Sequence, residues 1–352
     1  MRWPTVSLGE ICIVDWGNTS LTKSSYVDDG EYLAVSATGG DGRIGHCEHK
    51  ALTPVISAIG AQCGKLFLPR EDFTAIKNTI TLTPINHKQS QEACCPVFLY
   101  HLLSSVQLPR RGAGQPFISK GDLQEFKITL PPLEEQRRIA AILDKAQDVK
   151  AMVAQRSCLL TALGRSLFVR RFGLPSENPY ELTIHRLVDI CNPKQWPTIS
   201  SKQLKEAGYP VFGANGLIGY YDTFNHQAPT VLVTCRGATC GTVNVSPPNC
   251  YVTGNSMAMD NPDPALITTE YLAWVLRLRS MHDVISGSAQ PQITRQGLEA
   301  VTIPVPPIDA QKDFAVELRA LARVDDISRF SEVSLFEVSN CLAGQLLGSS
   351  SA

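Results

Sequence analysis

The sequence predicts a mixed α/β (α+β) protein made by tandem duplication: two copies of one globule, each closed by a long helix, the two helices pairing as a coiled coil about a pseudo-two-fold. Three observations carry this. First, 352 residues exceed what one hydrophobic core comfortably holds, so two domains or more are expected. Second, the chain matches itself. A shift of 175 places Gln115 on Gln290, Pro116 on Pro291, Ile118 on Ile293, Leu123 on Leu298, Ile128 on Ile303, Pro131-Pro132 on Pro306-Pro307 and Gln136 on Gln311. A shift of 177 aligns GAQCGK (Gly60 to Lys65) with GATCGT (Gly237 to Thr242) and Asn78 with Asn255, and a shift of 179 aligns LGEIC at Leu8 with LVDIC at Leu187. Third, each copy ends in a strand-like run, a double proline and a long helical stretch. The repeat unit greatly exceeds solenoid repeats of about 20 to 50 residues, so each copy is a domain.

In chain order, residues 1–132 form the first globule. TPVISAIG and TITLTPI read as strands between turns, PVFLYHLLSSV as a short helix by its apolar spacing, and FKITL as a closing strand. Residues 133–172 form the first long helix. Pro132 suits a first turn where no amide partner is needed, Glu134 and Glu135 favour its positive end, and Arg170 and Arg171 favour its C-terminal end before Gly173. Ile139, Ile142, Leu143, Ala146, Val149, Met152, Val153, Leu159, Leu160, Leu163 and Leu167 make a stripe at three-and-four spacing, which means packing. Residues 173–306 repeat the globule, with PTVLVTCRG and TVNVS as strands, EYLAWVLRLRSM as the short helix and AVTIPV as the closing strand. Residues 307–348 form the second long helix, with Phe314, Leu318, Leu321, Val324, Ile327, Phe330, Val333, Val338, Leu342 and Leu346 in a looser register. Residues 349–352 are a tail.

Charge is nearly balanced overall, 32 basic against 33 acidic residues, but unevenly spread. Residues 1–132 hold 12 of each, residues 133–171 hold 8 basic and 4 acidic, residues 172–306 hold 8 and 10, and residues 307–352 hold 4 and 7. The first long helix is therefore basic and the second globule and helix acidic, a complementarity that favours helix pairing. No apolar run approaches the roughly 20 residues of a membrane span, and MRWPTVSLGEICIVDWGN lacks an apolar export segment, so a cytoplasmic address is expected. Eleven cysteines without CxxC spacing read as reduced, mostly buried thiols. Enzyme signatures are missing: there is no GxxxxGK[ST] loop, no GxSxG, and NPKQ at Asn192 departs from the NPPY tetrapeptide of adenine methylases. Cys63 and Cys240 recur beside glycine and are read as structural rather than nucleophilic.

The duplicated block I(T/P)LPPLEEQRRIAAIL at Ile128 to Leu143, its echo IPVPPIDAQKDFAVEL at Ile303 to Leu318, and YPVFGANGLIGYYDTF with TVLVTCRGATCGTV between Tyr209 and Val243 resemble the specificity subunits of type I restriction-modification systems. The resemblance covers nearly the whole chain. It implies two target recognition domains separated by two long antiparallel helices, and a non-catalytic reader of a bipartite target in double-stranded DNA. The partners it implies are modification (methyltransferase) subunits, two of them, and restriction subunits. S-adenosylmethionine, ATP and Mg2+ would then belong to those partners and none to this chain. The resemblance assigns Glu134, Glu135, Gln136, Ile139 and Leu143, with Gln311, Phe314, Leu318 and Leu321, to the coiled coil and to subunit docking. The second helix departs from the first by carrying Asp309, Ala310 and Gln311 in place of EEQ. The competing reading is a duplicated coiled-coil scaffold that assembles proteins without reading DNA.

Base readout needs arginine or lysine for guanine and asparagine or glutamine for adenine, with other donors on phosphates. The loop before each closing helix supplies Arg110, Arg111, Gln115, Ser119 and Lys120, and in the second copy Ser288, Gln290, Gln292, Thr294 and Arg295. The glycine-rich SATGGDGRIG and VFGANGLIGY add Thr38, Arg43, Asn215 and Tyr220, and AIKNT adds Lys77. Gln115 and Gln290, kept in both copies, read first as framework hydrogen bonds; Asn78 and Asn255 read as turn residues. Positions that differ between copies, such as Arg110, Arg111 and Phe117 against Gln292, are the better candidates for sequence choice.

Overall fold

A computed structural model describes residues 3–85, 94–112, 114–214, 216–287 and 290–321. Its described residues divide into two compact units, residues 3–152 and residues 153–321. The first contains β1 (Thr5–Ser7), α1 (Leu8–Ile11), β2 (Cys12–Trp16), β3 (Tyr32–Ser36), β4 (Gly39–Ile44), β5 (Val55–Ser57), β6 (Leu66–Phe67), β7 (Phe73–Ala75), β8 (Thr79–Pro84), α2 (Pro96–Ser105), α3 (Lys120–Glu125) and β9 (Lys127–Thr129). Then comes α4 (Leu133–Phe172), which runs across the boundary between the units at 152/153. The second contains β10 (Thr183–Arg186), α5 (Leu187–Ile190), β11 (Asn192–Gln195), β12 (Tyr209–Gly213), β13 (Gly216–Tyr221), β14 (Val231–Thr234), β15 (Val243–Val245), β16 (Tyr251–Val252), β17 (Ser256–Asp260), α6 (Thr269–Arg279), α7 (Arg295–Glu299) and β18 (Thr302–Val305).

The same three sheets appear in each unit. Strand orders are β2-β8-β5-β6, β4-β3-β7 and β1-β9 in the first, and β11-β17-β14-β15, β13-β12-β16 and β10-β18 in the second. Even the irregularity repeats: the β3–β4 hairpin shifts register between Ala34 and Val35, and β12–β13 shifts between Val211 and Phe212. Central strands β5 and β14 are buried on both faces and accordingly read Val-Ile-Ser and Val-Leu-Val-Thr, as strands covered on both sides must. The edge strand β2 alternates, with Cys12 and Val14 inward and Ile13 outward. Sheet and helices enclose a core that includes Leu8, Ile56, Ile80, Leu82, Phe98 and Leu99 in the first unit. In the second, Val231, Val233, Met257, Tyr271, Leu276 and Phe314 do the same.

Each unit hands over to its long helix through one buried glutamine. Gln136 is fully buried; its Nε2 donates to the Pro131 carbonyl at 2.8 Å and its Oε1 accepts from the backbone N–H of Cys95, which precedes α2, at 2.8 Å. Gln311 repeats this. Its Oε1 accepts from Thr268 N–H, before α6, at 2.9 Å, and its Nε2 donates to Leu266 and Pro306 carbonyls, both at 2.8 Å. This corrects the expectation that Gln136 and Gln311 face a partner subunit or the coiled coil: both amides are spent on backbone groups of their own unit, which burial would otherwise leave unsatisfied. Ile139 likewise packs into the core of the first unit, with Leu143 against it. Glu134 stays exposed, and Glu135 pairs with Arg138 at 2.7 Å.

Within the second unit the end of α4 runs alongside the helical residues 308–321. Phe168 and Phe172 stack around Phe314 and Tyr271, with ring centroids 5.1 to 5.7 Å apart, and Arg171 pairs with Glu317. At Gly164 a Cβ would sit 2.5 Å from Trp274 and 3.4 Å from Leu318, so glycine permits the close approach. Phe168 meets Phe314 and Gly164 meets Leu318, which makes this stretch antiparallel. Leu321 is half-buried at its end. The remaining stripe residues of the second helix, Val324 to Leu346, lie outside the described residues, as does the tail.

Replacing Gln311 with alanine strands one buried N–H and two carbonyls. A loss of about 3 kcal/mol in unfolding free energy is expected, read from the urea midpoint. An unchanged midpoint would show that the amide is dispensable.

Candidate functional site

The best-matched feature of the two units is a small platform framed by glycine. In the first, the loop after β5 and the segment 110–119 form it: Gly60 N–H donates to Pro116 O at 2.9 Å, Ile118 N–H to Ala58 O at 2.8 Å, Gly64 N–H to Ser57 O at 2.8 Å, and Arg111 and Phe117 exchange both backbone bonds. In the second, Gly237 donates to Pro291, Ile293 to Cys235, Gly241 to Thr234, and Ser286 and Gln292 exchange theirs. Bond for bond the frames agree. Three glycine pairs sit at positive φ, Gly60 and Gly237 at 96° and 88°, Gly64 and Gly241 at 84° and 90°, Gly112 and Gly287 at 84° and 87°, where side chains are disfavoured. At Gly112 and Gly287 a Cβ would lie 2.6 Å from the carbonyl oxygen of Gln115 or Gln290.

Helix caps complete the frame. Ser119 Oγ accepts from Asp122 N–H and Thr294 Oγ1 from Gly297 N–H, both at 3.1 Å, so these hydroxyls, expected at DNA, are engaged as N-caps. Arg111 pairs with Asp122, and Lys120 with Asp15 at 3.0 Å. Three expected cations have no ion pair among the described residues: Arg110 in the first unit, Arg295 in the second, and Lys77, which is exposed on the turn beside Asn78. Asn78 has a φ of 69°, which a turn asparagine tolerates. The Arg110 guanidinium lies across Gly64, whose Cβ would be 2.7 Å from Nε. Gln115, Gln290 and Gln292 are exposed. The side chains of Gln115 and Gln290 make no hydrogen bond to another described residue, which corrects the expectation that they supply framework hydrogen bonds; the frame's bonds run through the neighbouring Pro116 and Pro291 backbones. Asn215 and Ser288 lie outside the described residues.

Thr38 and Arg43 sit on the β3–β4 hairpin and are tied down there. Asp41 accepts from Lys23 Nζ at 2.6 Å, Ser36 Oγ at 2.8 Å, Tyr26 OH at 2.7 Å and Thr38 Oγ1. Burial alone would raise the Asp41 carboxyl, but these four donors hold it well below the usual carboxylate range. Arg43 pairs with Glu71 at 2.8 Å. The hairpin tip reaches the platform through Phe67: a Cβ on Gly39 would lie 3.2 Å from that ring, and the Lys65 ammonium stands 5.5 Å from its centroid. In the second unit Tyr220 is half-buried, and its backbone pairs with Lys205.

Sequence reasoning missed two features. Arg236, exposed on the second platform, stands where the first copy has Ile59; the 177 shift contained that signal. The other is a buried network in the second unit: His226 Nε2 meets Asp260 Oδ1 at 2.9 Å, Trp196 Nε1 donates to Asp260 Oδ2 at 3.0 Å, and Asn225 Oδ1 lies 2.6 Å from His226 Nδ1. It borders a cavity of about 530 Å3 lined also by Asn192, Lys194 and Gln227. Each named polar atom of the triad is already satisfied, and the Asn225 side chain clips both backbone groups of Val252, so the network anchors a loop. The recurring thiols are not poised as nucleophiles: burial pushes both Cys63 and Cys240 up, and Cys63 Sγ donates to Ala58 O.

A family model described as type I restriction modification DNA specificity domain matches residues 2–156 and again residues 179–330. A Methanocaldococcus jannaschii protein named "Putative type I restriction enzyme MjaX specificity subunit" is 23% identical over 269 residues, 66% of this chain and 63% of that one. The chain thus spans less than two thirds of that relative's length. The specificity subunit of the Escherichia coli type I restriction enzyme EcoDI is 22% identical, with 97% of this chain and 84% of that one covered. The crystal structure of a type I restriction-modification S subunit from M. genitalium shares the fold with a TM-score of 0.69 at 18% identity, covering 98% of this chain and 96% of that one.

The Asp41 cluster gives a pH signature. Its carboxyl ionises more readily folded than unfolded, so its contribution is complete above the ordinary value of 3.8 and fades as pH falls below it. Asp41→Asn should cost about 1 kcal/mol at pH 7, with the gap to wild type unchanged down to roughly pH 4 and narrowing progressively below it in urea titrations. A gap independent of pH would contradict the assignment.

Proposed function

Because this chain belongs to the type I restriction modification DNA specificity domain family and carries that domain twice, we propose that it reads a bipartite target in double-stranded DNA, each unit contacting one half through its platform. The observation that carries this is the contrast within the duplication. Backbone bonds, caps and left-handed glycines agree between platforms, while several of the exposed side chains they present differ. A constant frame with variable letters suits a reader of two different half-sites; a scaffold would have no use for the difference.

In this reading α4 and the helix that begins at residue 308 set the gap between half-sites and dock two modification subunits, and restriction subunits join that complex. At about 1.5 Å per residue a 40-residue helix reaches roughly 60 Å, longer than the roughly 34 Å of one DNA turn. The chain itself performs no chemistry. Methyl transfer from S-adenosylmethionine and ATP- and Mg2+-dependent cleavage belong to the partners. The setting is the cytoplasm, where the DNA is. The recognition surfaces have little excess positive charge, so intrinsic DNA affinity is modest and the partners complete the clamp.

Binding by the chain in complex with its modification subunits tests this: a marked preference for one bipartite sequence is expected, whereas equal affinity for all duplexes would favour the scaffold. Inserting four residues after Ala154, exposed in the middle of α4, adds about one turn and 6 Å. The gap between half-sites should lengthen by roughly two base pairs at about 3.4 Å each, with both half-sites unchanged. Altered half-sites would refute the division into reader and ruler.

A further inference from the structure

The two platforms differ by a reciprocal exchange. A row of paired residues crosses each: Ile59, Phe117 and Arg111 in the first, Arg236, Gln292 and Ser286 in the second. Ile59 gives way to Arg236, and Arg110, beside the far end of the row, gives way to Ile285. The second isoleucine takes over the space of the first arginine. Arg110 covers Gly64, and Ile285 covers Gly241, where a Cβ would lie 3.3 Å from Ile285 Cδ1. Ile59 and Ile285 both pack against the core of their own unit. At this pair of positions each platform therefore keeps one isoleucine and one arginine, with the arginine moved to the opposite outer strand.

No carboxylate among the described residues of the second unit pairs with the moved cation. Asp122, which holds Arg111, corresponds to Gly297, and Asp15, which holds Lys120, corresponds to Lys194. Arg236 is exposed, makes no ion pair among the described residues, and stands directly beside exposed Gln292. A guanidinium fork matches the O6 and N7 of guanine, and a glutamine amide the N6 and N7 of adenine. Paired cross-strand residues lie about 5 Å apart, close enough for their side chains to converge on neighbouring base pairs spaced about 3.4 Å. Gly237, next in the chain, projects nothing that would hold the loop off the DNA. We infer that Arg236 and Gln292 are base-reading residues of the second unit, Arg236 fixing a guanine and Gln292 a neighbouring adenine in the half-site that this unit reads. The first unit, with Phe117 in the place of Gln292, reads a different base there. The assignment rests on the proposed reading of DNA by the platforms.

The test uses the intact chain with its modification subunits methylating a randomised duplex library, with modified sites identified by sequencing. Wild type should show a fixed guanine beside an adenine in one half-site. Arg236→Ala should relax the guanine by about 10- to 100-fold, and Arg236→Lys should relax it too, because an ammonium keeps the charge and loses the fork. Gln292→Ala should relax only the adenine. The other half-site, unchanged in all three, reports that each variant is folded and assembled. An unchanged motif in Arg236→Ala, or a uniform loss of activity that Arg236→Lys restores, makes Arg236 a bystander or a phosphate contact and overturns the assignment alone. A wild-type complex without sequence preference overturns the proposed function and this assignment with it.

Discussion

The buried amides of Gln136 and Gln311 are the constraint on which the rest depends. A helix that leaves a globule after two prolines starts with carbonyls that have no local donor and a neighbouring helix start with an unsatisfied N–H. One side chain in the second turn meets both needs, so the direction of the long helix is tied to the start of α2 or α6. With the helix fixed there, Ile139 and Phe314 fall into their own cores. The strand that precedes the prolines also pairs in place, β9 with β1 and β18 with β10. An alanine could continue either helix, but it would leave the joint without an angle.

Above that joint, the platforms show how duplication separates framework from content. Backbone hydrogen bonds cost little to keep when side chains change, provided the left-handed positions stay glycine. Gly112 and Gly287 are the sharpest case, since the space a Cβ would need is taken by a carbonyl three residues on. The larger changes of chemistry lie at or near the surface: half-buried Ile59 against exposed Arg236, Gln62 against Thr239, Phe117 against Gln292. The exchange of arginine and isoleucine between strands also shows that the variable positions are coupled through packing. A cation can leave one strand only if an apolar group fills the space above the glycine, and that is what Ile285 does.

Much of this was legible in the chain. The duplication, the strand runs and the 133–172 helix followed from self-alignment, period and end chemistry, because these are local properties repeated in full. The site was legible in outline only. The GAQCGK and GATCGT loops and the Gln-Pro phrases pointed to the platform, but residue type does not reveal whether a polar group is already engaged. Ser119 and Thr294 looked like contacts and are caps; Arg111, Lys120, Thr38 and Arg43 looked free and are held by carboxylates or hydroxyls from 3 to 105 residues away. Gln136 was assigned to the coiled coil and subunit docking by resemblance, and only tertiary packing reveals two backbone groups in need of it. Arg236 was overlooked because its copy is an isoleucine, although difference between copies was the criterion that should have found it.

Those internal ion pairs also explain how a nearly neutral chain fits a DNA-reading role. A cation committed to a carboxylate contributes little to counterion release, since the field that phosphate would feel is already cancelled. Of the platform cations, Arg111 and Lys120 are cancelled in this way, while Lys65, Arg110, Arg236 and Arg295 have no ion pair among the described residues. In the proposed reading, three free arginines over two platforms are too few to hold DNA by charge alone but could discriminate, because discrimination depends on donor geometry at base edges and little on net charge. If the proposed reading holds, such a distribution would place affinity with the assembly and choice with this chain. A reader that bound every duplex tightly by itself would spend its time on the wrong sequences, and neutralised platforms would guard against that.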